Sequence, residues 1–170
     1  MGDISKSNCW RKPDEYTVKV NVDGATFEAH QKFGFGCVAR DHHGKLIEAI
    51  SESRWGCVSA EIAEVIGIKE ALSWIKRKGW DTVVVESDAL VVVQAINSSV
   101  HMPSQFGLSV EDCRTILSSL NNVLISYVNR SANKAAHCVA RASYLSPGCT
   151  YNELNAPSFL CDIVMAYASS

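Results

Sequence analysis

Along the chain, apolar and polar positions first alternate. In "YTVKVNVDG", Tyr16, Val18, Val20 and Val22 fall on one face, and Thr17, Lys19, Asn21 and Asp23 on the other. That is the period of a strand with one buried side. "KFGFGCVAR" is a second strand, thinned by Gly34 and Gly36, which allow another backbone to come close. "DHHGK" reads as a turn and "LIEAISESRW" as a third strand. Three strands joined so tightly run antiparallel. From Ser59 to Lys78 the spacing becomes helical. Ser59 or a neighbour caps this helix, Glu61 suits its positive end, and a run of cations before Gly79 closes it. "TVVVES" is apolar on both faces, as expected of a strand covered on two sides. Asp88 ends it and suits the N-cap of a helix over "ALVVVQAINS". A loop over "SVHMPSQFG", a helix over "LSVEDCRTILSSL" and a strand over "NVLISYV" follow. The short helix of "SANKAAHCVARAS", capped by Ser131, comes next, then a loop over "LSPGCTYNELNAP" and a final helix over "SFLCDIVMAYA".

The order, three strands followed by α, β, α, α, β, α, α, predicts an α/β domain. Its sheet is mixed, with an antiparallel meander on one side, helix-linked parallel strands on the other, and helices on both faces. Residues 1–14 form a polar lead-in, 15–143 the domain, and 144–170 a C-terminal loop and short helix. The 170 residues suffice for one such core, and 47% apolar with 20% charged residues is a folded composition. A net charge of −2 excludes a strongly basic nucleic-acid protein but leaves room for a local basic face. No apolar run reaches membrane-spanning length, and the N-terminus lacks the apolar core of a secretory signal. The seven cysteines are odd in number, irregularly spaced and free of C-x-x-C pairs. They point to an intracellular, reducing compartment, nucleus or cytoplasm, with thiols used as small apolar residues. His42 and His43 sit in a turn without paired cysteines and carry no zinc signature. The four tryptophans, Trp10, Trp55, Trp74 and Trp80, read as packing residues rather than base platforms.

Three carboxylates change this picture. Asp23 ends the first alternating run, where an Asp-Gly hairpin turn is the simpler reading. Glu64 aligns on a helical wheel with Ile68, Ala71 and Ile75, so it faces the interior, where an unpaired charge costs several kcal/mol. Glu61, one turn earlier, is its rival. Asp88 stands at the carboxyl end of a parallel strand, where ligands of open α/β sheets gather. Together the acids outline an oxygen-rich magnesium site. His137 is the odd residue of its small-residue helix, either a satisfied interior histidine or part of a site.

"VNVDGA", "FGFGCVARDHHGKL", "AEVIGIKEALSW", "VVVESDALVVV" and "YVNRSANKAAHCVAR", in this order, resemble the plant-type RNase H domains, relatives of the type 1 and reverse-transcriptase-associated RNases H. The likeness runs from about Trp10 to Ser143. It implies a five-stranded mixed sheet of strand order 3-2-1-4-5, and hydrolysis of the RNA strand of RNA–DNA hybrids with two Mg²⁺ ions held by four acids. Residue by residue, the first acid falls on Asp23, the second on Glu64 rather than Glu61, and the third on Asp88. The fourth, whose metal positions the attacking water, falls on His137. An imidazole ligates through one nitrogen and brings no negative charge, so Mn²⁺ suits this site better than Mg²⁺ does. A loop histidine that assists product release in the family has no counterpart between Tyr127 and Ser131, and the basic protrusion of some members is absent.

The resemblance makes an RNA–DNA hybrid, or another nucleic acid, the expected partner of a monomer without membrane contact. Arg130, Lys134 and Arg141, with Asn133, are the candidate phosphate contacts. A second expectation stands beside the nuclease: a catalytically impaired nucleic-acid-binding module of retroelement origin, with His137 in the place of an acid.

Overall fold

The computed structural model describes residues 8–146 and 148–168. The first half of the lead-in, residues 1–7, lies outside the described residues. Strands β1 (Val18–Phe27), β2 (Lys32–Arg40) and β3 (Leu46–Trp55) form the antiparallel meander. Asp23 and Gly24 are not a hairpin turn: they lie inside β1, opposite Gly36 and Phe35. Beyond Val22 the apolar positions pass to the face of Asp23: Ala25 and Phe27 bury there with Ala140 against Tyr144, and this burial carries the strand past the Asp-Gly pair. The chain reverses in a short 3-10 turn over Glu28–His30, ended by Gln31 at a φ of 49°.

β4 (Val83–Ser87) pairs parallel with β1, and β5 (Val123–Tyr127) parallel with β4. The sheet order is β5-β4-β1-β2-β3-β6. It holds the expected five strands in the expected order and adds a sixth, β6 (Cys149–Tyr151), antiparallel to β3 inside the segment that reads as a loop. Three residues are too few for a period to show; pairing with the otherwise open edge of β3 selects this strand.

Helices α1 (Ala60–Lys78), α2 (Leu90–Asn97) and α3 (Gln105–Ser118) cover one face. Their core is built on Val20, Val22, Val85, Ile68 and Leu72. The Ser59 hydroxyl accepts the Ile62 N–H at 3.2 Å, and Gly79 closes α1 at a φ of 69°. Helix α3 begins three residues ahead of the expected start, because the Ser104 hydroxyl caps the Gly107 N–H at 3.0 Å. Helices α4 (Lys134–Ala142) and α5 (Ser158–Ala168) lie on the other face, around Val38, Ala49, Val139 and Leu160. Ser131 does not cap α4; it sits in a 3-10 turn, and Asn133 is the residue that enters the helix.

α4 packs over β1, β2 and β3. β4 is therefore not covered on both sides as its apolar run suggests: Val84 is half-buried, and Leu124 opposite it on β5 is 66% exposed. Part of the lead-in crosses this face. Trp10 is buried, its indole N–H donating to Asn21 Oδ1 at 2.9 Å and its ring stacked 3.8 Å from the Arg40 guanidinium carbon. Beside it, Lys19 and Glu86 form a buried ion pair at 3.2 Å. Cys37, Cys57, Cys113, Cys138, Cys149 and Cys161 are free thiols, and among the described residues no helix is long and apolar enough to cross a membrane.

Candidate metal centre

The register of β1 on β4 pairs Val22 with Ser87, so Asp23 and Asp88 leave neighbouring strands side by side. Asp88 does not cap α2. Ala89 is the capping residue, and its N–H goes to the Ser87 hydroxyl at 3.1 Å, which leaves the Asp88 carboxylate to the site. Glu64 comes from the second turn of α1. It reaches Asp23 because β1 and α1 touch backbone to backbone: a Cβ on Gly24 would lie 2.8 Å from the Glu64 nitrogen. Only glycine permits that approach. One oxygen from each of Asp23, Glu64 and Asp88 lies within 4.8 Å of the other two. Glu61, by contrast, is exposed on the rim.

The electrostatics of this corner are unfavourable to three charges. Burial, and then the negative charge of Asp23, push the Glu64 carboxyl from its ordinary 4.5 up to about 9. Burial and Asp23 raise Asp88 as well, while Arg130 and His137 pull it down. Glu64 Oε2 is buried and meets no hydrogen-bond donor. Converging hard oxygens, one of them an orphaned buried carboxylate atom, fit a divalent cation: it would satisfy the free oxygen and remove the mutual repulsion.

His137 sits on the first turn of α4, and its Nδ1 lies 2.8 Å from Asp23 Oδ2. Two glycines bring α4 this close. A Cβ on Gly36 would stand 2.5 Å from the Ala140 nitrogen, and one on Gly34 would collide with the Ser143 side chain. The expectation that these glycines admit a second backbone therefore holds. The imidazole is 43% exposed, so its second nitrogen remains open to solvent and to a ligand. Asp23, Glu64, Asp88, His137, Arg130 and Arg141 line one open cavity of about 210 Å³.

The four candidate phosphate contacts separate. The Arg130 side chain is 84% exposed, with Nε 3.9 Å from Asp88 Oδ2. Arg141 is exposed on the cavity wall over the Phe27 ring, and Lys134 is exposed at the start of α4. Asn133 is no phosphate contact. It is fully buried, its amide donating to the Val22 carbonyl at 2.9 Å and its Oδ1 accepting from Asn21 at 3.1 Å. It ties the start of α4 to β1, one turn before His137, and the Asn133 carbonyl accepts the His137 N–H. No spacing or motif signals this role, because Asn21 and Asn133 become partners only through the fold. Of the tryptophans, Trp10 and Trp74 pack as expected, but Trp55 is 77% exposed.

The family model described as reverse transcriptase-like matches residues 21–143 of the chain. No curated protein matches it. Among solved structures, RNase H1 from the halophilic archaeon Halobacterium salinarum NRC-1 is similar at a TM-score of 0.68 and 19% identity, over 75% of this chain and 97% of that one. LC11-RNase H1 in complex with an RNA/DNA hybrid is similar at 0.65 and 19% identity, over 76% of this chain and 99% of that one. The protease-reverse transcriptase of prototype foamy virus is similar at 0.59 and 14% identity, over 73% of this chain and 20% of that one. These likenesses establish an RNase H-like fold.

Proposed function

The chain belongs to the reverse transcriptase-like family, and from that premise we propose that it is a divalent-metal-dependent endoribonuclease acting on the RNA strand of RNA–DNA hybrids. The observation that carries this reading is the meeting of Asp23, Glu64 and Asp88, from three separate elements, within 4.8 Å in an open cavity. One structural neighbour, an RNase H1 seen in complex with an RNA/DNA hybrid, supports the choice of substrate.

Mg²⁺ or Mn²⁺, when bound, would supply Lewis acidity and activate water near neutral pH. Asp23, Glu64 and Asp88 would hold it, with His137 beside Asp23 as the fourth ligand. The chain's own part is placement. Gly24 brings α1 onto β1 and Gly36 brings α4 onto the neighbouring β2, so the donors are fixed before substrate arrives. Arg130 and Arg141 stand on the cavity wall, where a phosphate backbone would pass. With its Nδ1 on Asp23, His137 presents Nε2 outward, at the place where the resemblance puts a carboxylate. That substitution removes one negative charge and favours Mn²⁺ over Mg²⁺.

The same observation favours a second reading, a module that holds hybrid without cutting it. One assay separates the two. Labelled hybrid is incubated with the protein in Mg²⁺ and in Mn²⁺, beside Asp23→Asn and His137→Asp. The nuclease reading expects cleavage by the wild type, faster in Mn²⁺, lost in Asp23→Asn and less dependent on Mn²⁺ in His137→Asp. Cleavage absent from the wild type in both metals, and restored by His137→Asp, leaves the binding module.

A further inference from the structure

Beyond the acid cavity, the sheet carries a cluster of aromatic rings and cations that the hydrolytic site does not use. Phe27, Lys32 and Trp55 stand directly opposite one another on β1, β2 and β3, so their side chains share one face. It is the face that carries Asp23, four residues before Phe27 on β1, roughly 13 Å at the rise of an extended strand. Past the end of α4, Trp55 is 77% exposed. Its place is nevertheless fixed: it is the last paired residue of β3, and the Gly56 N–H donates to the Gln31 carbonyl at 2.8 Å.

Around Trp55 the rings and charges are arranged in series. The Lys32 ammonium lies 4.4 Å from the Trp55 ring centre and 5.9 Å from that of Tyr144. The exposed His30 stacks on Tyr144 at 4.4 Å, tilted by 34°. Tyr144 packs on Phe27, and the guanidinium of Arg141 lies 5.0 Å over that same ring. Arg141 also lines the acid cavity, so the cluster is continuous with it. Glu28 is the acid of the adjoining turn. A cation held against an exposed indole, beside further rings, matches what binds single-stranded nucleic acid without sequence preference: ring faces for bases and cations for phosphates.

We propose that Trp55, Lys32, Tyr144 and His30 form a stacking platform for a single-stranded stretch of nucleic acid running out of the cavity past Arg141. Trp55 offers the face opposite Lys32 to a base, and Lys32 meets the phosphate beside it. The platform extends the nucleic-acid reading of the cavity. It needs neither the metal nor the cleavage step, so it is tested apart from them.

The experiment measures the binding of short oligothymidylate and oligouridylate to the whole chain in EDTA, by fluorescence anisotropy of the labelled probe and by quenching of tryptophan emission. The two probes distinguish a DNA from an RNA occupant. Binding by the wild type is expected, with quenching that Trp55→Phe largely removes. Trp55→Ala should weaken binding about tenfold, the low-to-middle range for one base–aromatic stack. Lys32→Ala should weaken it and flatten the salt dependence. Failure of both probes to bind, or equal binding by Trp55→Ala, overturns the platform whatever the hybrid assay gives. Absence of hybrid cleavage with binding retained overturns the nuclease and leaves the platform standing.

Discussion

Replacing Glu64 by glutamine should stabilise the metal-free protein, although it destroys a site. In the folded chain Glu64 ionises near 9 against an ordinary 4.5, chiefly because it is buried and then because Asp23 is charged beside it. At pH 7.5 folding must therefore protonate it, across three units of about 1.36 kcal/mol each, an upper bound of about 4 kcal/mol. Glutamine avoids that penalty but brings an amide whose own hydrogen bonds are incomplete in the same pocket. A net gain near half the bound, about 2 kcal/mol, is expected. For a chain of this size that raises the melting temperature by roughly 4–8 °C. The sign follows from linkage. A carboxyl whose folded pKa is raised contributes most stability below its unfolded pKa and loses it as pH rises through the folded one. The wild type therefore loses stability between about 4.5 and about 9, and the glutamine advantage vanishes near pH 4.5. The assay is thermal unfolding in EDTA across that range, repeated with Mn²⁺. Metal should reverse the order, lifting the wild type and leaving Glu64→Gln unmoved. A glutamine variant no more stable than wild type at pH 7.5 in EDTA would refute the argument, as would a gain independent of pH.

Other expectations concern the scaffold. Gly36→Ala places a Cβ 2.5 Å from the Ala140 nitrogen, so α4 must shift; a loss of about 1–3 kcal/mol in urea unfolding is expected. Trp10→Ala removes the stack on Arg40 and the bond to Asn21 and should cost about 3–5 kcal/mol by the same measurement. Lys19→Met strands the buried charge of Glu86 and should destabilise by about 3–5 kcal/mol at pH 7, less in acid, as thermal melts at the two pH values will show.

Periodicity was a sound guide wherever a run was long. The strands of the meander, α1 with its Ser59 and Gly79 ends, and the inward face of Glu64 all follow from side-chain spacing. Short or doubly interpretable signals were decided by tertiary contacts. Asp23-Gly24 has the chemistry of a turn, yet Ala25 and Phe27 bury and carry the strand through it. Asp88 has the chemistry of a cap, yet Ser87 takes the Ala89 N–H. β6 is three residues long and exists only against β3. Asn133 looked like an exposed polar residue at a helix start, whereas its amide closes a network with Asn21 and Val22. Gly34 and Gly36 were legible as sites of close approach, but their partner α4 was not, since it is distant in sequence; Gly24, read as part of a turn, is the close approach to α1 that the sequence did not show. Of the site, the three acids could be named from the sequence, and the contact of His137 with Asp23 could not.

The central claim is hydrolysis of the RNA strand of a hybrid by the site around Asp23. It is tested most directly by a time course on a hybrid labelled differently on its two strands, with Mn²⁺ present. The predicted result is progressive shortening of the RNA label, an intact DNA label, and neither change with Asp23→Asn. Shortening of the DNA label, or RNA cleavage that persists in Asp23→Asn, would contradict it.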